Sequence, residues 1–322
     1  MHLEKKYVIL EWIIHPEAFA MELTDFQKKL VTLLPEIEFA MEEPMEKHTS
    51  FRIGGPVEVM AFPKNADELA KLLKTSALLH ITPAILGAGT NILAPDEGIR
   101  GLVICLKDCM DGMERLDDTR IRVAAGVTMT RAAVFAANLG LSGLEFAHGI
   151  PGTVGGGVFM NAGAYGGEIC QVCESVEIMD MEGNISTKGC SCMEFAYRHS
   201  FLEENAGIVL SAVFHLQPAP QEEIREKMAD LMNRRKTSQP LDLPSAGSAF
   251  KRPVGGYAAA MIDQAGLKGF CVGGAGVSTK HAGFVVNNGG ATAKDVKEVL
   301  RLVADKVYEN TGIRLEPEVR IW

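Results

Sequence analysis

Two glycine-rich segments have backbones that could bind an anion. The first is Leu86-Gly-Ala-Gly-Thr-Asn91, and the second runs from Gly149 to Gly166. Successive N–H groups in such segments form nests that hold anions, including a pyrophosphate. The alternative is two tight turns without a ligand, but the presence of two separate segments favours binding. Because clustered glycines destabilise helices and strands, we expect residues 149–166 to form an ordered loop.

The two common glycine motifs of nucleotide-binding proteins are absent. No P-loop of the form G-x-x-x-x-G-K-[ST] occurs in the chain. A dinucleotide fingerprint begins at Gly87 and Gly89, but Ile92 stands where its third glycine should be. Pro95 then prevents the helix that would have to follow. A standard Rossmann site is therefore disfavoured.

Ser248 and Lys251 have the S-x-x-K spacing of the penicillin-interacting serine enzymes. That chemistry needs both side chains on one helical turn, and Pro253 with the double glycine after it interrupts such a helix. No G-x-S-x-G motif is present. His199 and His281 have no carboxylate close by in the sequence, so we expect structural or substrate-contacting roles for them. Acyl-enzyme chemistry is disfavoured.

The chain has seven cysteines, an odd number. Cys170-x-x-Cys173 and Cys190-x-Cys192 together could supply four thiolates to a zinc ion. The second spacing is too short for a zinc knuckle, and both pairs flank strand-like sequence. We therefore predict no metal and free thiols, in a reducing cytoplasm.

Charge and hydropathy exclude several classes of protein. The chain of 322 residues has 32 basic and 41 acidic residues, a formal net charge of −9. This composition argues against a nucleic-acid footprint or a polybasic membrane-binding surface. The apolar stretch 7–14 is short and broken by Glu11, so no secretory signal is predicted. We expect residues 1–23 to be loosely attached, with Met21 an alternative start.

Alternating helices and strands must position these residues. Helices are predicted after Thr24, after Asn65 with Glu68 in a capping box, from Thr128 to Gly140, at 221–235, before Gly266, and after Thr292 with Asp295. Strands are predicted at 57–62, before Leu86, and at 101–106, 176–179, 208–215, 284–287 and 313–322. The polar run 234–240 indicates a domain boundary. The class is mixed α and β, in two or three domains.

Seven segments occur in one order: Phe51-Arg-Ile-Gly-Gly55, Leu86-Gly-Ala-Gly-Thr-Asn-Ile-Leu93, Gly149-Ile-Pro-Gly-Thr-Val-Gly-Gly156, Asn161-Ala-Gly-Ala-Tyr-Gly166, Tyr197-Arg-His-Ser200, Gly247-Ser-Ala-Phe-Lys-Arg-Pro253 and Leu315-Glu-Pro-Glu-Val-Arg320. From about residue 45 to 322 the chain is thereby similar to the UDP-N-acetylenolpyruvoylglucosamine reductase family. The short region between Tyr197 and Asp230 resembles the family's second type, which lacks an insertion carrying a substrate-covering tyrosine.

The resemblance implies an α+β fold with three parts. An FAD-binding fold of the vanillyl-alcohol-oxidase (PCMH) type would occupy 47–218, in subdomains of about 47–107 and 108–218. A C-terminal α/β substrate-binding domain would occupy 219–322, with its last strand returning to the active site. Residues 1–46 would form an N-terminal extension and helix.

The resemblance also implies a non-covalent FAD, with NADPH as co-substrate. The expected FAD contacts are Arg52, Gly87, Ala88, Gly89, Thr90, Asn91, Ile92, Leu93, Gly149, Ile150, Pro151, Gly152, Thr153, Gly155, Gly156, Asn161, Ala162 and Gly163. The expected substrate contacts are Tyr197, Arg234, Arg235, Lys251, Gln264, His281 and Asn287. The basic members of the second set would balance the charge of a UDP diphosphate. We expect no nucleic-acid, membrane or obligate protein partner.

In this family the reaction reduces an enolpyruvyl ether to UDP-N-acetylmuramate, for peptidoglycan. The flavin would take a hydride at N5 and deliver it to the terminal carbon of the alkene. Arg198 would hold the substrate carboxylate bidentately and stabilise the enolate, assisted by Glu318. Ser248 would donate the proton. Arg198, Ser248 and Glu318 are thus the expected catalytic residues.

Two other classes stay open at this point. An oxygen-using oxidase of the same fold would carry a covalent flavin on a cysteine or histidine, and Cys170 and His148 lie near the glycine segments. A binding protein without catalysis is the third possibility, and the Ser248, Arg198 and Glu318 set argues against it.

Overall fold

A computed structural model describes residues 24–322, so the predictions for residues 1–23 lie outside the described part of the chain. The first structural unit extends to Cys105. Its elements are α1 (Asp25–Leu33), β1 (Glu38–Pro44), β2 (Pro56–Phe62), α2 (Ala66–Leu78), β3 (Ala84–Leu86), β4 (Ile92–Leu93) and β5 (Ile99–Cys105). One sheet has the order β1-β2-β5-β3, with β2 and β3 parallel to β5 and β1 antiparallel to β2. Apolar faces of both helices, such as Leu30 and Leu72, pack into its core.

The second unit is built on an antiparallel sheet. Its elements are β6 (Met113–Arg115), β7 (Arg120–Ala124), α3 (Met129–Asn138), β8 (Leu141–Ser142), α4 (Val154–Phe159), β9 (Gly163–Ala164), β10 (Gly167–Glu168), β11 (Cys173–Met179), β12 (Ile185–Gly189), β13 (Ile208–His215), β14 (Gln217–Pro218) and α5 (Gln221–Ser238). The sheet order is β12-β11-β13-β7-β6. Helix α5 packs into this unit's core through Ile224 and Met228 and continues to Ser238, so the polar run at 234–240 begins within a helix. The proposed domain boundaries remain predictions.

The third unit is a small antiparallel sheet with helices. Its elements are β15 (Ser245–Ser248), α6 (Ala258–Gln264), β16 (Cys271–Val272), β17 (Ala275–Val277), β18 (Phe284–Asn287), α7 (Ala293–Thr311) and β19 (Arg320–Ile321). The sheet order is β15-β18-β17-β16. Its core includes Phe51, Ile53 and Leu93 of the first unit, so these two units share buried surface.

The capping residues expected from the sequence begin their helices. Thr24, Thr128 and Thr292 each accept a hydrogen bond from the backbone N–H three residues on. Asn65 does the same for Glu68 at 2.9 Å, but the Glu68 carboxylate accepts the N–H of Lys64 at 2.7 Å. In the predicted capping box Glu68 would accept the N–H of Asn65, but in the structure it accepts that of the preceding residue, Lys64.

The prediction of a loop throughout 149–166 is wrong, because Val154–Phe159 is the helix α4. Thr153 caps it, and its glycines allow close packing. A Cβ on Gly155 would lie 3.0 Å from the Ala125 Cβ, and one on Gly157 would lie 2.8 Å from the Met129 sulfur. This close approach is a tertiary contact that favours glycine in a helix.

The predicted closing strand at 313–322 is also largely wrong. Only Arg320–Ile321 forms a strand, pairing in parallel with Ile92–Leu93 of β4. The residues before it form only an isolated bridge, between Pro317 and Phe250, flanked by backbone hydrogen bonds between Glu316 and Lys251 and between Glu318 and Ala249. Tertiary partners hold this segment where a continuous sheet neighbour is lacking.

Candidate active site

A tight hairpin presents Arg198. Ala196 and His199 exchange two backbone hydrogen bonds of 3.2 Å, which place Tyr197 and Arg198 at the tip. Arg198 has a φ of 56°, in the left-handed region that non-glycine residues rarely adopt. Such a conformation persists only where the surrounding structure enforces it. The hairpin therefore fixes the backbone from which the Arg198 guanidinium extends.

Arg198 pairs with Glu318, a residue 120 positions later in the chain. Nε of Arg198 donates to Oε1 of Glu318 at 2.6 Å, and Nη2 donates to the carbonyl of Gly163 at 3.4 Å. The two paired side chains retain 21% and 12% of their exposure. The structure thus brings together two of the three residues expected to be catalytic.

Glu318 is fixed by contacts on both sides of its own segment. Its N–H donates to the Ala249 carbonyl at 2.9 Å, beside the end of β15. Its carbonyl accepts from Nδ2 of Asn91 at 3.1 Å, in the first glycine segment. Glu318 therefore lies between the third unit and the glycine loop of the first unit, while Arg198 comes from the second.

Burial raises the pKa of Glu318, although Arg198 and then Lys251 act in the opposite direction. The Lys251 ammonium makes its own ion pair with Glu316 at 2.5 Å. A carboxyl group near two cations, with a raised pKa, can accept or release a proton close to a bound anion. This combination suits acid–base work at the site.

Ser248 lies at the end of β15 and is exposed, one residue before the Ala249 carbonyl that binds the Glu318 N–H. It therefore stands at the same meeting point as the Arg198–Glu318 pair. Lys251 does not share a helix with it, because β15 ends at Ser248 and residues 249–251 are not helical. The S-x-x-K geometry of an acyl-enzyme is thus excluded, as the sequence indicated.

The two glycine segments meet. The Thr90 hydroxyl donates to the Pro151 carbonyl at 3.3 Å, and a Cβ on Gly87 would lie 2.6 Å from the Thr153 hydroxyl oxygen. Gly89 has a φ of +60° and approaches the His48 carbonyl so closely that a Cβ would lie 2.0 Å from it. The segments together form one backbone-lined surface. The first of them continues directly into strands β4 and β5, not into the helix that a Rossmann site needs.

Beside this surface lies a buried arginine, Arg235, with 6% exposure. Its Nε has no hydrogen-bond partner, and the same is true of Nδ1 of the nearby His148. The Arg235 side chain lies against Gly149 and below the ring of Tyr165, 5.6 Å from the ring centroid. Burial lowers its pKa. A buried cation with a free donor favours an anionic ligand here.

The residues fit the flavin nucleotide that the sequence implies. The two glycine segments pack closely against each other, which leaves backbone groups at their surface. Beside them Arg235 donates from Nη1 to Oε1 of Gln239 at 3.1 Å, and its Nε has no partner. FAD carries a pyrophosphate that needs such donors. Arg52, at a φ of 53°, lies two residues after Ser50, whose N–H donates to the Gly89 carbonyl at 3.1 Å. It lines an open groove of about 390 Å³ with Glu46, Lys47 and Thr49.

Three of four further expected substrate contacts have other partners in the structure. Arg234 pairs with Asp230 at 2.8 Å on an exposed helix face, and Gln264 ends α6. His281 packs edge-on against Phe284, and burial lowers its pKa. Buried Asn287 donates to the Phe51 carbonyl at 3.1 Å, at the junction of the first and third units.

Tyr197 and Lys251, in contrast, lie beside the Arg198–Glu318 pair. The Tyr197 hydroxyl accepts the N–H of Arg252 at 3.1 Å, and the Arg198 guanidinium lies 5.0 Å from the Tyr197 ring centroid. Tyr197 is 51% exposed, so most of its face is open to a ligand. The site therefore has an aromatic and a lysine at its edge.

The expectation that His199 lacks a nearby carboxylate is wrong. Nδ1 of His199 lies 2.9 Å from Oε2 of Glu203, four residues on. Glu203 also pairs with Arg320, two residues after Glu318. The i,i+4 spacing of His199 and Glu203 was a readable signal. A second ion pair thus joins the same two segments as Arg198 and Glu318.

Fold and site together define a flavin-binding oxidoreductase. Residues 57–188 match the model of an FAD binding domain, and residues 239–322 match the UDP-N-acetylenolpyruvoylglucosamine reductase, C-terminal domain. The reductase of Caldanaerobacter subterraneus subsp. tengcongensis is 46% identical over 91% of this chain and 96% of its own, and that of Clostridioides difficile 44% over 94% and 99%. The chain belongs to the UDP-N-acetylenolpyruvoylglucosamine reductase family.

A solved structure supports the same assignment. The reductase from Thermus caldophilus has a TM-score of 0.75 and 36% identity, over 89% of this chain and 99% of its own. The α+β class and the FAD-binding fold expected from the sequence are confirmed. From residue 24 onward, no helix has the length and apolar character needed to cross a membrane. In the same residues, no group of three potential ligands could hold a metal ion.

Proposed function

We propose that the protein reduces UDP-N-acetyl-3-O-(1-carboxyvinyl)-glucosamine to UDP-N-acetylmuramate, with NADPH as the electron donor. The observation that carries the proposal is the Arg198–Glu318 pair, held by segments of all three units beside the glycine surface. The names of the relatives supply the substrate class. FAD, when bound, supplies the transfer of two electrons from the nicotinamide to the alkene.

Backbone groups of the two glycine segments would hold the cofactor. The N–H groups of residues 87–91 would bind the pyrophosphate. Residues 92–93 and 149–156 would make further contacts with FAD, with Arg52 and 161–163 close to them. The unpaired Nε of Arg235 supports an anion on this surface. FAD would be non-covalent, which distinguishes this enzyme from an oxidase that carries its flavin on Cys170 or His148.

Arg198 would bind the substrate carboxylate. Within the described residues its hydrogen bonds use Nε and Nη2, so the guanidinium is oriented by the protein before a ligand arrives. When the alkene is reduced, negative charge moves into that carboxylate, and a fixed cation stabilises it most at that moment. Glu318 keeps the guanidinium plane in place through its 2.6 Å bond to Nε.

Ser248 would protonate the carbon next to the carboxylate. Its hydroxyl is exposed at the end of β15, close to the backbone that holds Glu318. A serine is a weak acid, but an enolate is a strong base and the distance is fixed by the strand. The hydroxyl would regain its proton from solvent.

Basic side chains would balance the diphosphate of the UDP group. Arg234, Arg235 and Lys251 would supply these cations, and Gln264 and His281 would contact the sugar or the uracil. The amide of buried Asn287, proposed for the same contact, is engaged by the Phe51 carbonyl and the N–H groups of Gly289 and Ala291. Tyr197 would cover the substrate from the hairpin. All seven cysteines are unpaired thiols, the usual state in a reducing cytoplasm, where we place the enzyme.

One experiment tests the proposal. The purified protein should be yellow, and heat or acid should release intact FAD. In an anaerobic titration NADPH should bleach the flavin, and the enolpyruvyl UDP-sugar should restore its colour. A colourless protein that fails to bind added FAD contradicts the proposal. Flavin that stays with the precipitated chain, or reoxidation that requires oxygen, favours the oxidase.

A further inference from the structure

The side chain of Asn161 is completely engaged by protein partners. It is 1% exposed, at a φ of 42°. Nδ2 donates to Oε2 of Glu168 at 3.1 Å and to the Ala196 carbonyl at 3.0 Å. Oδ1 accepts the N–H of Cys170 at 3.0 Å. Both amide hydrogens are therefore used by the protein, and the amide has no N–H left to donate to a flavin.

One of these bonds reaches the base of the Arg198 hairpin. Ala196 is the residue whose backbone bonds to His199 close that hairpin. A second anchor lies on its other side, where the Ser200 hydroxyl donates to the Phe159 carbonyl at 2.7 Å. Phe159 ends helix α4, and Asn161 follows two residues later. The hairpin is thus fastened to the end of the helix that begins at the glycine surface.

We infer that Asn161 is a positioning residue for Arg198. Its bond to the Ala196 carbonyl fixes the distance between the hairpin and the end of α4. The hairpin in turn fixes the position of the Arg198 guanidinium. Arg198 reaches Glu318 at 2.6 Å from a left-handed backbone, a geometry with little tolerance. Catalytic groups keep such geometry only when a second layer of hydrogen bonds supports them.

The residue type fits this role. Asparagine tolerates a left-handed backbone better than other non-glycine residues, and its amide can donate twice while it accepts. Aspartate at the same place would keep the shape and the acceptor but lose both donors. It would also set a carboxylate against Glu168. The catalytic consequence of the inference rests on the proposed function, whereas the positioning itself does not.

The sharpest test compares two variants that differ only at position 161. Glu168→Gln alone keeps the bond from Asn161 to Ala196. Asn161→Asp combined with Glu168→Gln lets the new amide of residue 168 donate to residue 161. It replaces the donor to Ala196 with a carboxylate oxygen, which repels the Ala196 carbonyl and so releases the hairpin from this anchor. Asn161→Gly, which also accepts a φ of 42°, serves if the double variant fails to fold.

The first measurement is independent of any reaction. In the holoprotein, the ¹H–¹⁵N signal of the Arg198 Nε–H is identified by its absence in Arg198→Lys. It should exchange slowly in the wild type and in Glu168→Gln. Exchange should be about tenfold faster in the double variant, which should retain its flavin. Unchanged exchange would overturn the inference, and loss of flavin with unchanged exchange would make Asn161 a cofactor contact.

The second measurement is the reaction itself. Reduction by NADPH should be equal in both variants, while reoxidation by the enolpyruvyl sugar should be about 10- to 100-fold slower in the double variant. In an Arg198→Lys background the same change should cost no more than about twofold, because the two residues act as one unit. Full additivity would contradict the inference. A wild type that the sugar cannot reoxidise refutes the proposed function, and the exchange experiment still decides the role of Asn161.

Discussion

Replacing Ser248 with alanine should separate the two halves of the proposed reaction. The side chain is exposed at the end of β15, so its loss should change the free energy of unfolding by less than about 0.5 kcal/mol. FAD binding and reduction by NADPH should be normal, because neither needs a proton from this position. Reoxidation by the enolpyruvyl sugar should slow by at least about 10²-fold, equivalent to about 2.7 kcal/mol in the barrier.

Anaerobic stopped-flow spectroscopy measures both halves from the flavin absorbance. Ser248→Cys is the matched control, because a thiol occupies nearly the same place and is more acidic, so part of the activity should return. The reasoning is refuted if the alanine variant is slow in reduction by NADPH and normal in reoxidation. That pattern would make Ser248 a cofactor contact.

Three further predictions concern the ion pair, a buried carboxylate and a helix cap. Arg198→Lys keeps the charge without the planar fork, so stopped-flow reoxidation by the sugar should slow by about 10- to 100-fold with flavin reduction unchanged. Burial raises the pKa of Glu145, but hydrogen bonds from Ser142 and backbone N–H groups and the charge of Lys227 outweigh it, so the pKa lies below its ordinary 4.5. The charged form therefore stabilises the fold above that pH. Glu145→Gln should lower the free energy of unfolding in urea by about 1–3 kcal/mol at pH 7, and the difference between variant and wild type should disappear as the pH falls through the lowered pKa. A difference that does not change with pH refutes this prediction. Asp96 accepts the N–H groups of the first two residues of α7, so Asp96→Ala should cost about 1 kcal/mol in the same assay, with Glu97→Ala as a neutral control.

Features with a local cause could be predicted from the sequence. Thr24, Thr128 and Thr292 begin helices because a hydroxyl three residues before an N–H suffices to cap it. Helix α4 could not be predicted in this way, because its glycines are needed for close packing against Ala125 and Met129, which only the fold brings near. The closing segment was misread for the same reason: its partners, such as Phe250, are distant in sequence.

The site shows the same division. Arg198 and Glu318 were named from the resemblance, and their separation of 120 positions leaves no trace of contact in the residue pattern. His199 and Glu203, four apart, could have been paired from spacing alone. Asn161 was expected to touch the cofactor because it lies in a glycine-rich motif. The same motif also contains the residue that anchors the Arg198 hairpin, and sequence spacing does not distinguish a cofactor contact from such an anchor.

The pairing of β19 with β4 has a consequence for biosynthesis. Leu93 contributes to a core completed by residues of the third unit, and Trp322 packs with the core beside β4. At about 5–20 residues per second, a ribosome needs roughly 10–50 s to proceed from Leu93 to Trp322. Throughout that interval the apolar edge at Ile92 and Leu93 lacks its partner strand. The Arg198–Glu318 pair has the same constraint, because it cannot form until Glu318, 120 positions after Arg198, has been synthesised.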